Sequence, residues 1–103
     1  MELTASRANE ILKKHGFSFT KSIGQNFLIN PSVPPKMAAG SGCDGIGVLE
    51  VGPGAGMLTN ELAKRAKKVV AVELDKRLAP VLAETVGDLE NVEIVFSDAL
   101  KLD

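Results

Sequence analysis

The stretch Val48-Leu49-Glu50-Val51-Gly52-Pro53-Gly54-Ala55-Gly56 constrains this chain more than any other. Gly47 to Val51 is a short apolar run of β-branched and long side chains, which reads as a buried strand. Three glycines at alternate positions then let the backbone turn sharply and approach a ligand without Cβ atoms in the way. From Met57 to Ala66 the period becomes helical, with Leu58, Leu62, Ala63 and Ala66 on one face. Strand, glycine turn and helix N-terminus together aim backbone N–H groups and the helix dipole at a polar ligand. The spacing is Gly-x-Gly-x-Gly, not the Gly-x-Gly-x-x-Gly of dinucleotide sites. Taken alone, the loop is weak evidence, and a plain tight turn is the lesser alternative.

The second strand strengthens the ligand reading. Lys68-Val69-Val70-Ala71-Val72-Glu73 is apolar and ends on an acid, about 20 residues beyond the glycine loop. In doubly wound sheets an acid at this point accepts hydrogen bonds from a ribose hydroxyl pair; a solvated carboxylate at a strand end is the plainer alternative. A third strand, Asn91 to Phe96, is again followed by an acid, Asp98. The order strand–helix–strand–helix–strand requires parallel pairing with right-handed crossovers. The expected architecture is α/β: three parallel strands at 47–51, 68–73 and 92–96 in spatial order 3-2-1, with helices near 4–15, 32–39, 57–66 and 76–87.

Local signals set those boundaries. Thr4 is placed to cap the first helix, Gly16 to stop it, and His15 falls in its last turn. Ser32 follows Asn30-Pro31 as a helix start, and Pro34-Pro35 are tolerated in the first turn. Asp75 caps the last helix, whose buried face is Leu78, Val81, Leu82 and Val86. Pro80, five residues beyond that cap, should loosen or kink the first turn.

At 103 residues the chain is one domain at most, and 45% hydrophobic content with balanced charge suits a soluble globular protein. No apolar run approaches the roughly 20 residues needed to cross a bilayer, so no membrane partner is expected. The single cysteine, Cys43, excludes an intrachain disulfide and fits a reducing cytoplasm. The net charge of −1 divides unevenly: residues 1–40 balance at +3 and residues 41–103 at −4. With Phe17, Phe19 and Phe27 interleaved with Lys21 and amides, residues 1–40 read as a helical, basic arm. Residues 41–103 read as the α/β unit, and the basic arm as a contact for an anionic partner.

Gly-Gln-Asn-Phe-Leu (24–28), Glu-Val-Gly-Pro-Gly-Ala-Gly (50–56), Val-Glu-Leu-Asp (72–75) and Ser-Asp-Ala-Leu (97–100) together resemble the ribosomal RNA small-subunit adenine dimethyltransferases. The resemblance runs from about Arg7 to Asp103. It implies a Rossmann-like S-adenosylmethionine-dependent methyltransferase fold, here a three-stranded half-sheet with an N-terminal arm. It also implies methyl transfer from S-adenosylmethionine to adenosines of small-subunit rRNA in the 30S particle. Asn26 and Leu28 would help hold the cofactor, Gly52 would admit its methionine end, Glu73 would take the ribose hydroxyls and Asp98 the adenine amino group. The family's Asn-Leu-Pro-Tyr motif, which grips the target adenine, is absent from the 103 residues. The chain therefore reads as an N-terminal fragment with much of a cofactor pocket and no catalytic residue, and its cut sheet edge at Gly47–Val51 is expected to self-associate. A nicotinamide-binding module and a non-catalytic RNA-binding or assembly module are the competing readings.

Overall fold

A computed structural model describes residues 3–17 and 32–98. The elements run α1 (Ala5–Lys14), α2 (Val33–Gly40), β1 (Gly47–Val51), α3 (Met57–Ala63), β2 (Lys68–Glu73), a 3₁₀ turn (Lys76–Leu78) continuing into α4 (Ala79–Thr85), and β3 (Val92–Phe96). The strands are parallel in the order β1-β2-β3, with Gly47 opposite Lys68 and Val69 opposite Val92. Strand limits and strand order are those expected from the sequence.

The helix ends carry the physical detail. Thr4 Oγ1 accepts the Arg7 N–H at 3.1 Å and caps α1. Ser32 holds the corresponding place before α2 but makes no side-chain cap hydrogen bond; its backbone is already helical (φ −78°, ψ −15°) rather than in the extended conformation usual for a cap. Helix α3 ends three residues early, its last turn tightening through Arg65 N–H to Leu62 O at 3.1 Å. Asp75 Oδ1 accepts the Arg77 N–H at 2.9 Å. The turn that follows is 3₁₀ up to Leu78, with Pro80 in the first turn of α4. The loosening expected from Pro80 takes this form, because its ring cannot coexist with a regular helical bond to the preceding turn. The helix stops at Thr85, two residues before Gly87.

The expected stripes face the core, with Leu58 and Ala63 of the third stripe only partly buried. Ile11 and Leu12 of α1 meet Leu78, Val81, Leu82 and Val86, with Phe17, Ile94 and Phe96 packed against them. Ala38, Leu62, Ala66 and Val69 form a second cluster, joined by Cys43, which is a core residue whose Sγ–H faces the Ala38 carbonyl at 3.6 Å. Fully burying each aliphatic side chain contributes about 1.5–3 kcal/mol. The strand pleat turns Val48 and Glu50 toward the helices and leaves Leu49 and Val51 each 65% exposed on the other face. No helix among the described residues is long and apolar enough to cross a membrane.

Candidate functional site

The glycine loop begins as a continuation of the sheet. Gly52 N–H donates to Val72 O at 2.8 Å, and Gly56 N–H closes back onto Pro53 O at 2.9 Å. Gly52 (φ 74°) and Gly56 (φ 89°) occupy the left-handed region but serve different ends. Gly52 is exposed, and a Cβ placed on it would meet nothing within 4 Å. Its bare backbone faces open space. At Gly56 a Cβ would lie 2.8 Å from Thr85 Oγ1 and 3.0 Å from Val86 Cγ1, so this glycine admits α4 rather than a ligand.

Glu73, 7% exposed, comes off the end of β2 beneath this loop. Its Oε1 accepts the Gly54 N–H at 3.2 Å and its Oε2 accepts the Asp75 N–H at 2.9 Å. Two backbone donors fix the carboxylate plane. A carboxylate has about four acceptor positions, so hydroxyls from a ligand can still be received. Asp75 continues outward through its hydrogen bonds and charge contact with Arg77, which hold its carboxyl below the usual range. The Arg77 guanidinium in turn lies 5.7 Å from the centre of the Phe17 ring.

A cleft of about 230 Å³ opens at the C-terminal ends of the three strands, lined by Gly52, Glu73, Leu74, Ser97 and Asp98 among others. Ser97 N–H donates to Glu73 O at 2.9 Å, which ties the third strand end to the second. Gly52, Glu73 and Asp98 are thus brought to one place, where open α/β sheets hold their ligands. Asn26 and Leu28 lie outside the described residues. A larger cleft of about 410 Å³, lined by Gly47, Val48, Leu49, Lys68 and Val70, lies toward the opposite strand ends and has no acid in its lining. No cluster of metal-ligating side chains occurs among the described residues.

Two residues that the sequence reading passed over belong to this construction. Glu50 is 8% exposed and accepts a hydrogen bond from Thr59 Oγ1, itself wholly buried on α3, at 2.5 Å. Burial pushes the Glu50 carboxyl up; the Thr59 bond opposes that, and the Glu73 charge adds to it. An acid inside an otherwise apolar strand was the available signal.

The family model for ribosomal RNA adenine dimethylase matches residues 16–103. The chain belongs to the ribosomal RNA adenine dimethylase family. Similar curated proteins include the ribosomal RNA small subunit methyltransferase A of Geobacillus thermodenitrificans, 52% identical over 97% of this chain and 34% of that protein. The Enterococcus faecalis protein of the same name is 54% identical over the same shares. The chain therefore spans about a third of the length of these dimethylase relatives and corresponds to an N-terminal portion of them. Among solved structures, the 23S rRNA methyltransferase ErmE matches with a TM-score of 0.66 and 37% identity, over 72% of this chain and 31% of that one. A dimethyladenosine transferase from Plasmodium falciparum matches with a TM-score of 0.61 and 30% identity, over 72% and 28%. The dimethylase fold is the Rossmann-like one of S-adenosylmethionine-dependent methyltransferases, represented here by three parallel strands.

Proposed function

We propose that residues 41–103 form the first half of an S-adenosylmethionine site and residues 1–40 the basic arm beside it. The whole protein would be a cytoplasmic enzyme that dimethylates adenosines of small-subunit rRNA. The observation that carries this is the convergence of Gly52, Glu73 and Asp98 on one cleft at the strand ends. The residues fit the cofactor: an exposed glycine backbone with open space above it, a carboxylate already oriented by two N–H donors, and a second acid across the cleft. Glu73 would receive the ribose hydroxyls, Asp98 the adenine amino group, and Gly52 would let the methionine end approach, with Asn26 and Leu28 completing the pocket. When bound, S-adenosylmethionine supplies an electrophilic methyl group on a sulfonium. The work of these residues is to bind and orient it, since positioning supplies much of the rate in such transfers.

The motif that grips the target adenine is not among the 103 residues, so the purified chain is expected to bind cofactor without methylating 30S rRNA. Copies of it would pair through β1, which is the edge of the described sheet and exposes Leu49 and Val51; sedimentation as a clean monomer would overturn that pairing. Calorimetric titration tests the cofactor reading. S-adenosylhomocysteine should bind, NAD should not, and Glu73→Ala should weaken S-adenosylhomocysteine by roughly 1.5–3 kcal/mol, the scale of a hydrogen bond to a charged group. Unchanged binding by Glu73→Ala would refute the ribose assignment.

A further inference from the structure

We propose that Arg77 is a positioning residue that ties the end of α1 to the acid assigned to the ribose, through Asp75 on one side and the Phe17 ring on the other. This rests on reading the cleft at the strand ends as an S-adenosylmethionine site. Glu73 lines that cleft, whereas Arg77 and Phe17 do not, so their influence on a ligand passes through Glu73. Phe17 is placed by the way α1 ends. Gly16 takes the left-handed conformation (φ 82°), its N–H donates to Lys13 O at 3.1 Å, and the Phe17 N–H donates to Leu12 O at 2.9 Å. These are the paired bonds of a Schellman ending, and they set the ring against the core cluster that contains Ile11, Leu78 and Leu82.

The guanidinium over that ring is also held from its other side. Its Nε donates to Asp75 Oδ1 at 3.0 Å and its Nη2 to Oδ2 at 2.7 Å, the two-pronged arrangement in which Arg grips a carboxylate. The Asp75 N–H, in turn, is one of the two donors that orient Glu73. From Glu73 to Phe17 each link is thus a hydrogen bond or a ring contact. Exposed ion pairs stabilise a fold only slightly, and the Arg77 side chain is 80% exposed. A capping Asp with a local partner accounts for the ion pair. It does not account for an aromatic ring brought beneath the guanidinium by another helix. Lys14 and His15 bind Glu84 of α4, which fastens the end of α1 to the same unit and keeps the ring in place.

The test is amide hydrogen exchange on the 103-residue chain, with and without S-adenosylhomocysteine. In the wild type the ligand should slow the Asp75 amide and also the Phe17 amide, while the Ala8 amide, bonded to Thr4 O at the other end of α1, stays unchanged. Arg77→Ala alters an exposed side chain and leaves the core intact. It should keep the slowing at Asp75, lose it at Phe17, and weaken S-adenosylhomocysteine about threefold, the scale of an exposed cation–π contact. Phe17→Leu, which keeps the apolar packing but removes the ring, should do the same. A merely structural Arg77 would speed both amides with and without ligand and leave the ligand's effect in place. That result, unchanged affinity in both variants, or no slowing at Phe17 in a wild type that binds the ligand, would overturn the proposal. The ligand-free chain gives a second readout. Arg77→Ala should speed the Asp75 amide relative to the Val69 amide, which is bonded to Asn91 O in the core and follows overall stability. An unchanged ratio refutes the hold on Asp75 even if the wild type binds no S-adenosylhomocysteine, a result that would instead defeat the cofactor reading.

Discussion

Gly54 donates its backbone N–H to Oε1 of Glu73 at 3.2 Å, across 19 residues of sequence. The acid assigned to the ribose is thus also a brace for the glycine loop. Replacing Glu73 by Ala leaves the buried Gly54 N–H without its acceptor, which costs about 1–3 kcal/mol. Glu73→Gln keeps a carbonyl oxygen there. Chemical denaturation should therefore find Glu73→Ala clearly less stable than Glu73→Gln, while both weaken S-adenosylhomocysteine.

The loop glycines should separate in the same kind of experiment. Gly56→Ala forces a left-handed backbone on a side chain and a contact of 2.8 Å with Thr85 Oγ1. Conformational strain and overpacking together should cost roughly 2–4 kcal/mol. Gly52→Ala carries the backbone cost alone, about 1–2 kcal/mol, and should lose ligand affinity out of proportion to its lost stability. Equal destabilisation of the two variants would contradict the separate roles.

Glu84 joins α4 to the end of α1, its Oε2 meeting His15 Nε2 and its Oε1 receiving Lys14 Nζ at 2.9 Å. The His15 hydrogen bond, then that of Lys14, holds the Glu84 carboxyl below its ordinary range. A depressed carboxyl contributes stability that is present above its unfolded value and lost as pH falls through the folded one. Melting temperatures of wild type and Glu84→Gln should therefore differ at neutral pH and converge in acid.

Glu50 has the opposite sign. Its folded value is raised, chiefly by burial, so its protonated form favours the fold and the benefit disappears as pH rises through that value. Glu50→Gln, which can still accept from Thr59, should melt higher than wild type at pH 7, with the gap closing as pH falls below the ordinary carboxylate range.

The frame was legible because its signals are local. Val48–Val51, apart from Glu50, and Val69–Val72 are apolar, the glycines punctuate them, and Pro80 announced an irregular helix start. Placing Glu73 and Asp98 beside Gly52 required only parallel pairing, which brings successive strand ends to one side. Contacts made across the turn were not legible. Nothing in Glu50 or Thr59 alone says that the two meet, and alternate spacing of glycines does not reveal that Gly56 makes room for Thr85 while Gly52 faces open space. Ser32 likewise looks like a cap by residue type, yet its backbone conformation decides otherwise.

The strand registers also bear on how the chain finds its fold. Gly47 faces Lys68 and Val69 faces Val92, offsets of 21 and 23 residues. The two crossovers are nearly equal, and closure entropy grows only with the logarithm of loop length. Neither pairing has a chain-entropy advantage over the other. Either strand–helix–strand unit can therefore nucleate first, with β2 the template in both cases, so destabilising β2 should slow folding more than an equal loss in β1 or β3.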